Sequence, residues 1–206
     1  MASTMINMKT EVEAKFLDID SSQLRTTLQQ LGAVLVYPER LMVRETFDYL
    51  NNSLREIGGW VRLRNEGDRI TLSYKQLNDR SLHGTKEVEV EVSNYNQAKD
   101  FLLNIGLIIK SIQETKRELW RIGETEITLD TWPWIPTFCE VEGIDEVTVK
   151  QVVEQLGLDW SQALHGSVEV AYQHYYDVTD EEIWSWKEIK FVSVPESLEI
   201  KRKPTL

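Results

Sequence analysis

In the run EVEAKF, Glu11, Glu13 and Lys15 alternate with Val12, Ala14 and Phe16. Successive side chains of an extended strand point to opposite faces. Two carboxylates and one ammonium therefore share a face, and three apolar side chains share the other. The arrangement returns along the chain with acids and bases mixed. WVRLR sets Arg62 and Arg64 against Val61 and Leu63, and RITLSYK sets Arg69 and Lys75 against Ile70, Leu72 and Tyr74. KEVEVEV sets Glu87, Glu89 and Glu91 against three valines. EITLD sets Asp130 against Ile127 and Leu129, and FCEVEG sets Glu140 and Glu142 against Cys139 and Val141. Carboxylate oxygens suit hard cations, and guanidinium and ammonium groups suit anions through charge-assisted hydrogen bonds.

The elements that carry these residues read as strand, helix, strands, and then much the same order again. A strand over 9–17 precedes a helix capped by Ser21 or Ser22, with Leu24, Leu28 and Leu31 on one face and Gly32 at its end. Extended segments follow near 41–49, 59–65 and 69–76, then a loop over 78–84 and a strand over 86–93. A second helix starts near Asn96, with Phe101, Leu102 and Ile105 inward and Gly106 at its end. Strands near 112–121, 125–131 and 137–142 lead to a third helix at about 145–156, closed by Gly157. The pairs Glu11/Glu13 and Glu87/Glu89 each precede a helix that ends in an apolar residue and Gly, which reads as a weak internal duplication.

An open sheet wetted on one side is the ordinary source of such alternation. Two features argue against it here. The charged face carries bases on some strands and clustered glutamates on others, and the opposite face is almost uniformly Val, Ile and Leu, as where helices cover a sheet. A closed antiparallel β-barrel with a polar lumen and helices packed outside satisfies both, and closure removes exposed edges. The expected fold class is α+β.

Hydrophobic content of 41% and charged content of 28% are ordinary for a globular domain. The net charge of −11 argues against generic binding to duplex nucleic acid or to an anionic membrane surface, and leaves room for a phosphate ligand where bases cluster. A single cysteine, Cys139, excludes an intrachain disulfide and points to a reducing, cytoplasmic setting. No apolar stretch approaches the ~18 residues of a membrane span, and MASTMINMKT lacks a signal-peptide core.

The ordered set of EVEAK, TFDYLNNSLREIGGWVRLR, Lys75, the Glu-rich strand, KREL, and ITLD followed by CEVEG resembles the CYTH family over roughly residues 7–176. That family is named after class IV adenylyl cyclase and thiamine triphosphatase, and is also called the triphosphate tunnel metalloenzymes. The resemblance implies an eight-stranded antiparallel barrel forming a tunnel, here a domain over 1–176; the extension over 177–206 lies outside it and packs on the barrel, covers one tunnel mouth or mediates self-association. It also implies that Glu11, Glu13, Asp130, Glu140 and Glu142 hold Mg²⁺ or Mn²⁺, and that Lys15, Arg62, Arg64, Lys75 and Arg117 hold phosphates, with Lys15 and Glu140 catalytic. Glu87 and Glu89 have inward parity and pair with lumen bases or bind metal.

One departure stands out. Many members carry Lys-x-Arg where this chain has Thr115-Lys116-Arg117, so a phosphate contact is missing unless Arg44 or Arg69 replaces it. His83, His165 and His174 lack metal-ligand spacing, and Cys139 falls on the apolar parity as a structural thiol. Trp132 and Trp134 in DTWPWIP pack the rim or stack on a ligand ring. Beyond Tyr176, Thr179 and Glu182 form a capping box for a helix that includes Trp184 and Trp186.

The implied activity is metal-dependent hydrolysis of a triphosphate-bearing small molecule: inorganic tripolyphosphate, a nucleoside triphosphate or thiamine triphosphate. A class IV adenylyl cyclase is the alternative, and a polyphosphate-binding module without turnover is the third. Monomer and homodimer are both open.

Overall fold

Glu11 divides the first predicted strand in two, and that division lets the sheet return on itself. The structure is a computed structural model that describes residues 8–204. Strand β1 (Lys9–Thr10) pairs with β6 (Thr85–Glu91), and β2 (Val12–Phe16) pairs with β9 (Phe138–Gly143), both antiparallel. Between them the Glu11 N–H donates to the Thr85 carbonyl at 3.0 Å. The remaining wall consists of β3 (Val34–Tyr49), β4 (Gly59–Asn65), β5 (Ile70–Leu77), β7 (Leu107–Ile122) and β8 (Thr125–Thr131). Their hydrogen-bonded order is β1-β6-β5-β4-β3-β7-β8-β9-β2. The two ends of that order are one run of chain, so the antiparallel sheet forms a barrel. It has nine strand segments where eight were expected, and the extra one is the piece N-terminal to Glu11.

Three ten-residue helices cover the outside: α1 (Ser21–Gln30), α2 (Tyr95–Asn104) and α3 (Glu146–Gln155). The residue that caps α1 is Asp20, rather than Ser21 or Ser22; its carboxylate accepts from the Ser22 and Gln23 N–H groups at 2.9 and 3.0 Å. Leu24 and Leu28 of α1 and Val149, Val152 and Val153 of α3 pack with Val12, Ala14, Phe16, Ile127, Leu129, Cys139 and Val141, the apolar parity of β2, β8 and β9. On α2 the inward stripe is Tyr95, Ala98 and Leu102, spaced i, i+3, i+7, against Phe47 and Leu63. Phe101 is therefore 62% exposed, since it lies about 100° around the helix from Leu102. Ile105 is the C-cap residue and is half exposed. Both were expected to point inward. The order strand, ten-residue helix, sixteen-residue strand occurs twice, as β2-α1-β3 and β6-α2-β7, and the two long strands pair antiparallel.

A third core closes one end of the barrel. Trp132 and Phe138, on the inward parity of the hairpin β8–β9, are covered by α4 (Glu169–Tyr175), α5 (Asp180–Ser185), β10 (Glu188–Ile189) and α6 (Glu196–Glu199) through Tyr172, Ile183, Ile189 and Leu198. The Tyr172 and Tyr176 hydroxyls donate to the Pro133 and Trp134 carbonyls at 2.9 and 2.6 Å. Thr179 and Glu182 form the capping box of α5, which ends at Ser185, one residue short of the expected Trp186, because Trp186 turns to extended backbone as the C-cap; β10 pairs in parallel with β7 at Ile112 and Gln113. Among the described residues no helix is long and apolar enough to cross a membrane.

Gly58 sets the start of β4. Its φ is +75°, and a Cβ there would sit 2.2 Å from the Leu77 carbonyl oxygen. Gly32 has a similar φ, +71°, with open space around it. Gly58→Ala is expected to cost at least about 1 kcal/mol, and clearly more than Gly32→Ala, because only Gly58 adds a clash to the unfavourable φ. Urea unfolding of both variants measures the difference.

Candidate functional site

The inward faces of the strands enclose one cavity of about 800 Å³. The barrel order sorts its charges. Lys75 on β5, Arg62 and Arg64 on β4, Arg40 and Arg44 on β3 and Arg117 on β7 lie on four consecutive strands. Glu126 and Asp130 on β8, Glu140 and Glu142 on β9, Glu13 on β2, Glu11 at the seam and Glu87 and Glu89 on β6 occupy the rest. Lys15 on β2 and Lys9 on β1 stand within the acidic half, and Asp48 on β3 and Glu66, just past β4, within the basic half.

Register explains the pairings. Arg117 lies opposite Asp130 and grips it with two bonds, Nε to Oδ1 at 2.6 Å and Nη2 to Oδ2 at 2.7 Å, while Nη2 also reaches Glu140 at 2.8 Å. Lys15 lies opposite Glu140 and binds it at 3.1 Å, with Glu13 as its second partner. On the far wall, Arg62 reaches across Ser73, a small residue on β5, to Glu87 at 3.0 Å and Glu89 at 3.1 Å. Lys75 bridges the seam to Glu11 at 2.8 Å and approaches Glu87 at 3.6 Å. Glu142 takes the exposed Lys9 at 3.0 Å. Glu87 and Glu89 thus pair with lumen bases.

These partners set the protonation states. Burial alone would lower the Lys15 ammonium, but Glu13 and Glu140 outweigh it and hold it above its ordinary range. Burial would raise Glu140, yet Lys15 and Arg117 hold it well below the usual carboxylate range. Glu11 goes the other way. Burial outweighs Lys75, and the adjacent Glu87 and Glu13 add to the rise, so Glu11 is held up while Glu87 is held down. Cys139 is fully buried on the apolar face, where burial pushes its thiol up, which suits a structural thiol.

All ten residues expected at the site line this one cavity. Among the described residues, however, no three His, Cys, Asp or Glu side chains converge closely enough to hold a metal ion. Each of the five carboxylates expected to bind metal is turned toward a base. The histidines lie outside the lining. Strand alternation left Arg40, Glu66 and Glu126 unassigned, although the phase could have found two of them: Glu66 follows Arg64 by two, and Glu126 precedes Asp130 by four. Glu126 faces Glu142, which faces Glu13, so three acids cross β8, β9 and β2 in one row. The tail also contributes: Ile183, Trp184, Lys187 and Ile189 line the cavity, with Arg55 stacked 3.8 Å from the Trp184 ring.

A family model for the CYTH domain matches residues 9–176. The chain belongs to the CYTH family. Solved structures share the fold. A protein from Vibrio parahaemolyticus described as a candidate adenylate cyclase superposes with a TM-score of 0.70 at 17% identity, covering 81% of this chain and 99% of that one. A Pyrococcus horikoshii protein gives 0.62 at 17% identity, with 74% and 93% covered. A Hippeastrum protein, described as a candidate adenylyl cyclase with a dominant triphosphatase activity, gives 0.52 at 13% identity, with 86% and 95% covered. At these identities the likeness establishes the fold alone. No curated protein sequence matches the chain.

Glu66 anchors the basic half. It is 2% exposed and binds Arg64, Arg40 at 2.9 Å and Arg69 at 3.0 Å. Burial would raise its carboxyl, but the three arginines hold it below its ordinary value. A depressed folded value stabilises above the unfolded one, about 4.5, and the contribution disappears as pH falls through the folded value. Glu66→Gln is expected to lose about 1–3 kcal/mol at pH 7, with the deficit shrinking in acid. Urea unfolding at pH 7 and at about pH 3.5 measures it; a deficit independent of pH would remove the charge explanation.

Proposed function

We propose that this protein is a divalent-metal-dependent phosphohydrolase acting on a triphosphate-bearing small molecule: inorganic tripolyphosphate, a nucleoside triphosphate or thiamine triphosphate. The observation that carries the reading is the division of one enclosed cavity into a basic half and an acidic half. A polyanion needs fixed cations along its length, and Arg62, Arg64, Lys75, Arg117 and Lys15 supply them. Membership of the CYTH family supports the same reading, as does the activity described for the Hippeastrum protein.

The acidic half suits Mg²⁺ or Mn²⁺ in kind. Its donors are all hard carboxylate oxygens, and Glu13, Glu142 and Glu126 occupy facing register positions on three neighbouring strands, although their side chains do not converge on one point. Glu11, Glu13, Asp130, Glu140 and Glu142 are the residues that would hold the ion. Bound there, it would neutralise phosphate oxygens and acidify a water.

The chain's own groups do the rest. Each phosphate-binding base already has a carboxylate partner, so an arriving phosphate exchanges with Glu87 and Glu89 at Arg62, and with Asp130 and Glu140 at Arg117. Lys15 stays protonated and acts as a fixed positive charge at the reacting phosphate. Glu140 stays ionised and acts as a ligand and charge partner, since a carboxyl held this low is a poor proton acceptor. A cavity of about 800 Å³ also admits a nucleotide, so attack of the ribose 3′-hydroxyl of ATP on the α-phosphorus is the second reading; the Vibrio parahaemolyticus neighbour favours it.

The deciding assay incubates the protein with Mg²⁺ or Mn²⁺ and tripolyphosphate, ATP or thiamine triphosphate in turn, and separates phosphate, pyrophosphate and cyclic AMP. Phosphate release supports the hydrolase, cyclic AMP with pyrophosphate the cyclase, and tight binding with neither product a binding module. Arg62→Ala is expected to weaken tripolyphosphate binding by about 1.5–3 kcal/mol, roughly 10- to 150-fold, in a calorimetric titration. Glu140→Gln is expected to abolish most turnover and to reduce the rise in melting temperature that Mg²⁺ or Mn²⁺ gives the wild type, because the ion binds only the folded state. Full metal-dependent turnover in Glu140→Gln would remove Glu140 from the site.

A further inference from the structure

Among the described residues four cations line the cavity with no acid within salt-bridge distance: Arg55, which stacks on Trp184, Lys110, which donates to Asn52, Lys187 on the tail, and Arg44, which alone of them lies beside the arginines of β4. Arg62, Arg64, Arg117, Lys75 and Lys15 each hold a carboxylate within salt-bridge distance. Among the described residues Arg44 has no such partner, and its buried Nε, like those of Arg62 and Arg64, makes no hydrogen bond. It lies opposite Arg64 on one side and Gln113 on the other, so like charges face each other across β3 and β4. Its guanidinium rests 4.0 Å from the centre of the Trp132 ring, which holds the group flat and neutralises nothing. Arg62 and Arg117 add to the repulsion. Leaving a guanidinium in such a place is unfavourable unless an anion joins it.

Thr115 is its small neighbour on β7. It is 1% exposed and lies opposite Met42, diagonal to Arg44. The strand therefore presents a hydroxyl where a long base would crowd the guanidinium. Arg69, the other residue able to replace that base, is committed to Glu66 at 3.0 Å.

We propose that Arg44, backed by Trp132, is a ligand-binding residue of this tunnel, and that it takes a phosphate group of the substrate in place of the base that Thr115 does not provide. The inference deepens the triphosphate reading and rests on it. It predicts a subsite in which Arg44, Arg62, Arg64 and Arg117 surround one anionic group, with Arg44 free to bind without first releasing a carboxylate.

The test is a calorimetric titration with inorganic tripolyphosphate in metal-free buffer, beside melting curves without ligand. Arg44→Met is expected to weaken binding about ten-fold or more, while the ligand-free protein melts at the same temperature or higher, because a repelled charge has gone. Arg44→Lys is expected to bind with intermediate affinity. Adding Thr115→Lys to Arg44→Met is expected to recover part of the loss, which a purely structural role for Arg44 would not produce. Arg44→Gln replaces Arg44→Met if the latter does not fold. Wild-type affinity in the Arg44 variants, with tripolyphosphate still bound by the wild type, overturns the assignment of Arg44 alone. A wild type that binds no tripolyphosphate, with or without metal, overturns the triphosphate reading and this inference with it.

Discussion

Charges enclosed within a barrel must be compensated within it. The outer faces of β2, β4, β5, β8 and β9 are committed to apolar packing under α1, α2 and α3, whereas Val88 and Val90 on β6 and Leu41 and Val43 on β3 stay exposed; the charged residues of the opposite parity face the lumen. Removing an ion from water costs several kcal/mol even after relaxation, and an opposite charge in hydrogen-bond contact is what offsets it. The lumen is accordingly a network: Arg117 with Asp130 and Glu140, Glu140 with Lys15, Lys15 with Glu13, and Lys75 with Glu11. Protonation follows from the same balance. Glu140 between two bases is held ionised, whereas Glu11, deep beside two other carboxylates, is held up.

Strand order turns the network into a site with two sides. In the chain, basic and acidic strands alternate irregularly: Glu11 and Glu13, then Arg62 and Arg64, then Glu87 and Glu89, then Arg117, then Asp130. The barrel places β5, β4, β3 and β7 together and β8, β9, β2 and β6 together. The sorting depends on the first strand, which turns from β6 to β9 at Glu11 and so joins acids from the start of the chain to those near its end. Such a cavity can hold a polyanion against one wall and a cation against the other without a separate binding loop.

The tail alters one end of this tunnel. Trp132 and Phe138 have lumen parity, but Tyr172, Ile183, Ile189 and Leu198 cover them. Most of that cover follows Tyr176, beyond the segment that matches the family model. The short β10 adds to β7 at Ile112, where β8, which pairs with β7 only from Lys116 onward, leaves an edge. Trp184 and Lys187 then line the cavity, so part of its wall belongs to this chain's own extension.

The sequence by itself determined which residues face one another's strands and which face helices, because a period of two is a local property of an extended chain. It therefore placed Glu13, Lys15, Arg62, Arg64, Lys75, Arg117, Asp130, Glu140 and Glu142 on the inward side, and Cys139 on the outward one. The capping box at Thr179 and Glu182 was legible because it too is local, a pair three residues apart at a helix start. Helix faces were less so: Phe101 and Ile105 were hydrophobic and near the right phase, but only a narrow stripe of a ten-residue helix touches the barrel. Partnership lay beyond the sequence altogether. That Glu11 meets Lys75, that Arg62 reaches past Ser73 to Glu89, and that Arg44 rather than Arg69 lacks an acid all depend on register between strands far apart in the chain. Register is fixed by the packing of the whole barrel, and only the tertiary structure could decide it.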